Sequence, residues 1–202
     1  MSAGPTPKGQ QRRAALLDAA ERVLTSHGGS ELTLRAVAEE AGVRLGHLQY
    51  YFPARAALLS ALLDRILTTS LERVTGLTDA RTNDVGLDDG LDALLDGVLS
   101  DHDDPRLVRL FTEVWALAAH DEEAAAAVRA FYDRYVAHVA SFVRDHAPEV
   151  SAADARGRAE VFVMLMEGSA LFRSGITGHR SPTADARLRG AARALLGGGA
   201  GT

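Results

Sequence analysis

The sequence predicts an all-α protein: a small N-terminal three-helix domain carrying a helix-turn-helix, joined to a larger helical body, about nine helices in all. Three observations carry this. Apolar residues recur at three- and four-residue spacing from Leu16 to Leu196, with no alternating stretch to compete as a strand. Gly, Pro or acidic clusters interrupt the pattern at intervals suited to helix ends. Within residues 32–59, LTLRAVAEEAGVRLGHLQYYFPARAALL, two short amphipathic runs flank Gly42, the residue type best able to take a left-handed turn.

Taken in order, residues 1–10 read as a disordered arm and 11–54 as the small domain. Its first helix carries Leu16, Leu17, Ala20, Val23 and Leu24 and stops at Gly28-Gly29. Thr33 caps a second helix whose Leu34, Val37 and Ala38 share a face and which ends at Gly42. Val43 and Leu48 form the apolar base of a third, from about Arg44 to Tyr51, with Phe52 beside Leu48 in the small core. The body, 55–196, opens with a long helix from Arg55 to about Val74, with Pro53 in its first turn, and a polar loop covers Gly76 to Gly86. Leu87 to Leu99 is next, and Pro105 starts a helix bearing Leu110, Phe111, Val114 and Trp115. Glu122 to His146 and about Ala152 to Arg173 follow, the latter almost wholly apolar between Val161 and Phe172. Thr183 to Leu196 is the last helix, and 197–202 is expected to be disordered.

Charge distribution says more than the net −5. Residues 1–60 carry +2 and the remainder −7, a mildly basic head on an acidic body, which permits local contacts with a polyanion. The third helix turns Arg44, His47 and Tyr51 outward, a face suited to a DNA major groove. Arg44 and Arg35 are candidates for guanine edges through O6 and N7, and His47 is the next base-edge candidate. Tyr51 and Arg55 are read as phosphate anchors that fix register. Gln49 and Tyr50 complete the DNA-facing set.

These residues resemble the tetracycline-repressor (TetR) family of one-component transcriptional regulators over roughly residues 12–59. The resemblance rests on the apolar first helix, Gly28-Gly29, Leu32-Thr33, Ala41-Gly42-Val43, Gly46 and Leu48, Tyr51-Phe52, and Arg55 followed by Leu58-Leu59. Two positions depart from it: the family usually has Tyr where Gln49 stands and Lys where Arg55 stands. The body stretch LFTEVWALAAHDEEAAAAVRAFYDRY is similar, on fewer residues, to the choline-pathway-regulator (BetI-like) C-terminal domains. The resemblance implies that Thr33 touches phosphate as well as capping its helix. It also implies a dimer built from the last two helices and an effector pocket in the body.

A reading helix of about seven residues spans roughly 10 Å and addresses only a few base pairs, so specificity calls for a two-fold dimer on a palindromic operator. Gly168 and Ala170 allow close helix approach, and Leu188, Ala191 and Leu195 form an apolar stripe; ordinary core is the competing reading. For the effector, Phe111 and Trp115 lie one turn apart, while Phe131, Tyr135 and His138 mark one face of the next helix, and Met164 adds adaptable surface. Glu167, a carboxylate in an apolar helix, meets either a cationic ligand or an interhelix hydrogen bond.

The expected function is a ligand-responsive regulator, a repressor that binds duplex DNA as a homodimer and is released by a small-molecule effector. The alternatives are a ligand-independent architectural DNA-binding protein and a helical small-molecule-binding protein. No enzyme is expected: HExxH, GxSxG and phosphate-binding glycine loops are absent, and the acidic runs 101–104 and 120–123 read as solvated helix caps. Neither metal nor cofactor is expected. Without cysteine, without an apolar run near the ~18 residues of a membrane span, and without a signal core at the start, the expected compartment is the cytoplasm.

Overall fold

The computed structural model describes residues 6–79, 87–178 and 181–197. Among them are nine α-helices and no strand: α1 Pro7–His27, α2 Leu34–Glu40, α3 Leu45–Tyr51, α4 Arg55–Asp79, α5 Leu87–Asp101, α6 Pro105–Ala118, α7 Glu122–His146, α8 Ala152–Arg173 and α9 Pro182–Gly197. A single 3-10 turn, Gly29–Glu31, follows α1.

Several boundaries differ from the sequence reading, each for a local reason. The arm expected through residue 10 is helical from Pro7, because the Thr6 hydroxyl accepts from the Gly9 N–H (3.3 Å) and Pro7 is preorganised for a first turn. Arg44 is the N-cap of α3, not its first helical residue. Pro53 precedes α4: the first turn closes from the Leu58 N–H to the Ala54 carbonyl (3.2 Å), leaving Pro53 outside. Gly76 does not end α4, which continues to Asp79; one glycine costs only about 1 kcal/mol against alanine, too little to stop a long helix. The rest of the expected loop, 80–86, and the tail beyond Gly197 lie outside the described residues.

The chain divides into two compact units. The first holds the described residues up to Ile66 together with Arg109–Phe131, so α4, α6 and α7 each contribute to both units. Its core is built from Leu16, Leu17, Ala20, Val23 and Leu24 of α1, with Leu32, Val37, Leu48 and Phe52 all essentially inaccessible. Arg65 of α4 ties α1 down, donating to Asp18 (2.6 Å) and Glu21 (2.9 Å). Glu113 of α6 accepts the Gly29 N–H at 2.8 Å, and a Cβ on Gly29 would lie 3.0 Å from both the Glu113 carbonyl and Leu117, so the close approach needs glycine.

The second unit comprises Leu67–Val108 and the described residues from Tyr132 onward. Leu91, Leu95 and Leu99 of α5 pack with Val136, Val139 and Val143 of α7, Phe162, Val163 and Met166 of α8, and Ala192 and Leu196 of α9. Two ion pairs a turn apart on each helix, Arg193–Asp92 (3.0 Å) and Arg189–Asp96 (2.6 Å), set α9 antiparallel to α5. No described helix is long and apolar enough to cross a membrane.

Candidate nucleic-acid interface

The turn between α2 and α3 is formed by backbone hydrogen bonds that a sequence can encode. Thr33 Oγ1 accepts the Ala36 N–H at 3.1 Å and starts α2. At the other end the Val43 N–H reaches the Ala38 carbonyl (2.9 Å) and the Gly42 N–H the Glu39 carbonyl (3.0 Å), a Schellman closure with Gly42 at φ +64°. Two orphan carbonyls of α2 are thereby satisfied, and the chain leaves at the angle α3 requires. Leu48 is fully buried beneath α3, and Arg13 stacks over the Phe52 ring at 5.2 Å to the centroid.

With Leu48 pointing inward, α3 turns one side out, and Leu45 and Tyr51 are partly covered. Arg44, His47, Gln49 and Tyr50 are exposed, Tyr50 at 82%, and Tyr51 is half-buried. His47 and Tyr51 meet edge to face with centroids 5.5 Å apart, and Tyr50 does the same to Tyr51 at 5.2 Å. This chain of rings limits rotamer freedom on an exposed surface and lowers the entropy lost on contact with a partner. Arg35 is exposed in the first turn of α2, beside the capping Thr33. Arg55 is the exception: it is half-buried, its guanidinium paired with the Asp121 carboxylate.

The residues singled out for an effector are divided. Phe111, Trp115 and Phe131 form one aromatic cluster in the first unit, with centroids 6.0 Å (Phe111–Trp115) and 5.6 Å (Phe111–Phe131) apart. In the second unit Glu167 accepts a hydrogen bond from Tyr132, and burial raises its pKa to about 7. Tyr135 lies near the charges of Glu167 and Asp101, and burial first, then those charges, holds its phenol protonated. His138 is exposed, and Met164 is 70% exposed. Met164 lies on the outer face of α8, with Val161, Gly168, Leu171 and Phe172.

The residues expected at the dimer face are divided as well. Gly168 and Ala191 are exposed. Ala170 lies on the inner side of α8 by helical register, and Leu188 and Leu195 pack against the second unit's own core. The sequence reading missed Val161, Leu171, Phe172 and Ile176, exposed by 50%, 44%, 57% and 61%. It also missed the network behind the acidic run at 101–104. His102 is buried, with its Nδ1 3.3 Å from the Ser169 hydroxyl. Arg173, 6% exposed, donates to Asp103 at 3.1 Å and lies 2.6 Å from Asp185. Asp101 accepts from Ser70 at 3.0 Å. Only Asp104 acts as a simple cap there, accepting the Arg106 N–H at 2.8 Å.

A Schellman-turned helix pair with an exposed Arg/His/Tyr face, in an all-helical chain, defines a helix-turn-helix transcriptional regulator. Residues 16–62 match the model of bacterial regulatory proteins of the tetR family, and residues 88–197 match the C-terminal domain of BetI-type transcriptional repressors; the chain belongs to the TetR family. That family consists of transcriptional regulators and not of enzymes. A helix-turn-helix regulator from the dhlA 5′ region of Xanthobacter autotrophicus, itself uncharacterised, is 33% identical over 121 residues. The match covers 58% of either chain, so this protein spans somewhat over half of that relative's length. Among solved structures, a TetR-family regulator from Rhodococcus sp. is similar with a TM-score of 0.74 at 25% identity, covering 93% of this chain and 99% of that one. A transcriptional regulator from Pseudomonas aeruginosa PAO1 shares the fold with a TM-score of 0.75 at 23% identity, covering 95% and 92%.

Proposed function

We propose that this chain is a cytoplasmic, homodimeric repressor that binds a palindromic operator and is released by a small molecule bound in its C-terminal part. The observation that carries the DNA half is the α3 surface: Arg44, His47, Gln49 and Tyr50 are exposed on a helix anchored from below by Leu48. Arg44 and Arg35 read bases, with His47 beside them, and Thr33, Tyr51 and Arg55 hold phosphates. Two copies are needed because seven residues of α3 reach only a few base pairs. The exposed apolar stripe of α8, together with the exposed Ala191 of α9, is the face that joins them.

The aromatic cluster Phe111, Trp115 and Phe131 and the buried groups Tyr135 and Glu167 are the places where an effector would act. An effector that favours a body conformation with wrongly spaced heads shifts operator affinity through α4, which runs unbroken from the DNA-binding part. Such coupling is about 1–3 kcal/mol, roughly 5- to 150-fold.

Selection from random duplex DNA by the purified chain tests the reading. A palindrome should be enriched; no enrichment at low salt refutes operator binding. On the selected site Arg44→Ala should lose about 1–3 kcal/mol while binding to unrelated duplex barely changes. Equal loss on both would make Arg44 a phosphate contact.

A further inference from the structure

The run His120-Asp121-Glu122-Glu123 has no part in the reading above, yet Asp121 touches a residue placed at the DNA surface. Its two carboxylate oxygens do different work. Oδ1 accepts the Ala124 N–H at 2.8 Å and caps α7, while Oδ2 pairs with the Arg55 guanidinium at the start of α4. Both side chains are less than one-third exposed, at 30% and 23%, so solvent screens the pair only partly. Both residues belong to the first unit, whose α6 is held to the end of α1 by the Glu113–Gly29 hydrogen bond. The pair therefore lies within one compact body.

A carboxylate and a phosphate oxygen make the same demand on a guanidinium: an anionic acceptor in the plane of the fork. We propose that Asp121 is an intramolecular stand-in for a DNA phosphate, so that docking of the α6–α7 corner and binding of duplex compete for Arg55. The proposal rests on the reading of Arg55 as a phosphate contact. Glu123, exposed beside Asp121, adds like charge against the polyanion, while the charge of Glu122 is paired with Arg129. With Arg55 neutralised internally, the contact releases fewer counterions, and sequence-independent attraction to DNA is held down until the corner withdraws.

The test uses the full chain and a mixed-sequence duplex titrated with salt. Asp121→Asn keeps an acceptor for the α7 cap and removes the charge, so the fold is retained, which a thermal melt checks. It should tighten binding about 2- to 10-fold at low salt and steepen the salt dependence by close to one counterion. Glu123→Gln, the same charge change without the Arg55 contact, should do clearly less. Arg55→Ala should weaken binding and flatten the slope, and adding Asp121→Asn to it should then gain nothing.

Equal gains from Asp121→Asn with and without Arg55 would reduce the effect to general charge and overturn the competition. Weaker binding by Asp121→Asn would make Asp121 a residue that positions Arg55 for phosphate, which also overturns it. If Arg55→Ala changes neither affinity nor slope even in the Asp121→Asn background, the phosphate reading of Arg55 itself fails, and the competition fails with it.

Discussion

Phe172→Asp combined with Met164→Lys is expected to turn the protein into a folded monomer and to weaken binding to a palindromic operator at least ~1,000-fold, about 4 kcal/mol. The two side chains are 57% and 70% exposed on α8, so their replacement leaves the core around Phe162 and Met166 untouched. In a two-fold interface each substitution occurs twice, and the apolar area lost, at about 1.5–3 kcal/mol for a large side chain fully buried, is compounded by desolvating new charges. Losing the dimer also loses the second α3, leaving a half-site read by seven residues. Sedimentation and a direct titration on the selected operator check both consequences. A variant that still sediments as a dimer would place the interface elsewhere than on α8.

Why this face was invisible in the sequence is a matter of periodicity. A half-buried helix shows its inner side as an apolar stripe, but α8 is apolar on both sides between Val161 and Phe172, and a 3.6-residue period carries no signal when both faces are alike. Phe162, Val163 and Met166 turn inward, and Val161, Met164, Leu171 and Phe172 turn outward. Composition assigned Met164 to a ligand surface and gave Ala170 to the interface because both readings fit a helix buried all round. Only the position of α5 and α9 decides which side is covered.

The DNA head was legible for the opposite reason: its determinants are local. Thr33 caps three residues ahead, Gly42 takes the positive φ that lets the Val43 N–H close a Schellman motif onto Ala38 five residues back, and Leu48 lies on the one apolar side of a short helix. Each fits within a window of a few residues where residue type and backbone geometry are tightly linked. The contacts that modulate the head are long-range. Glu113 reaches Gly29 across 84 positions, and Arg55, at the start of α4, finds Asp121 only after α4, α5 and α6 have passed. Nothing in the local pattern marks Asp121 as more than the helix cap it also is. Buried His102 and Arg173, and their tie to the exposed Asp103, escaped notice similarly, because DHDD before a proline is the usual spelling of a solvated turn.

Two buried groups of the second unit, His102 and Glu167, give the protein two opposing pH dependences, and single substitutions should separate them. His102 has its pKa lowered from 6.5 to about 4, first by burial and then by Arg173, with Asp103 opposing. Between these values the unfolded chain binds a proton that the folded one refuses, so the stability His102 contributes is full above pH 6.5 and is lost as pH falls through 4. Glu167 has its pKa raised from 4.5 to about 7 by burial, partly offset by the Tyr132 hydrogen bond. Here the folded state keeps a proton the unfolded chain releases, so its contribution is full below 4.5 and is lost as pH rises through 7. Each effect amounts to about 3 kcal/mol across its window, and in the parent they largely cancel between pH 4.5 and 6.5. Measured as the difference from the parent at each pH, which removes every other titrating group, Glu167→Gln should become relatively more stable from pH 5 to pH 8. His102→Gln should become relatively more stable from pH 6.5 down to pH 4. Denaturant unfolding across this range reads both, and flat differences for either variant would mean that its side chain is solvated in the folded protein.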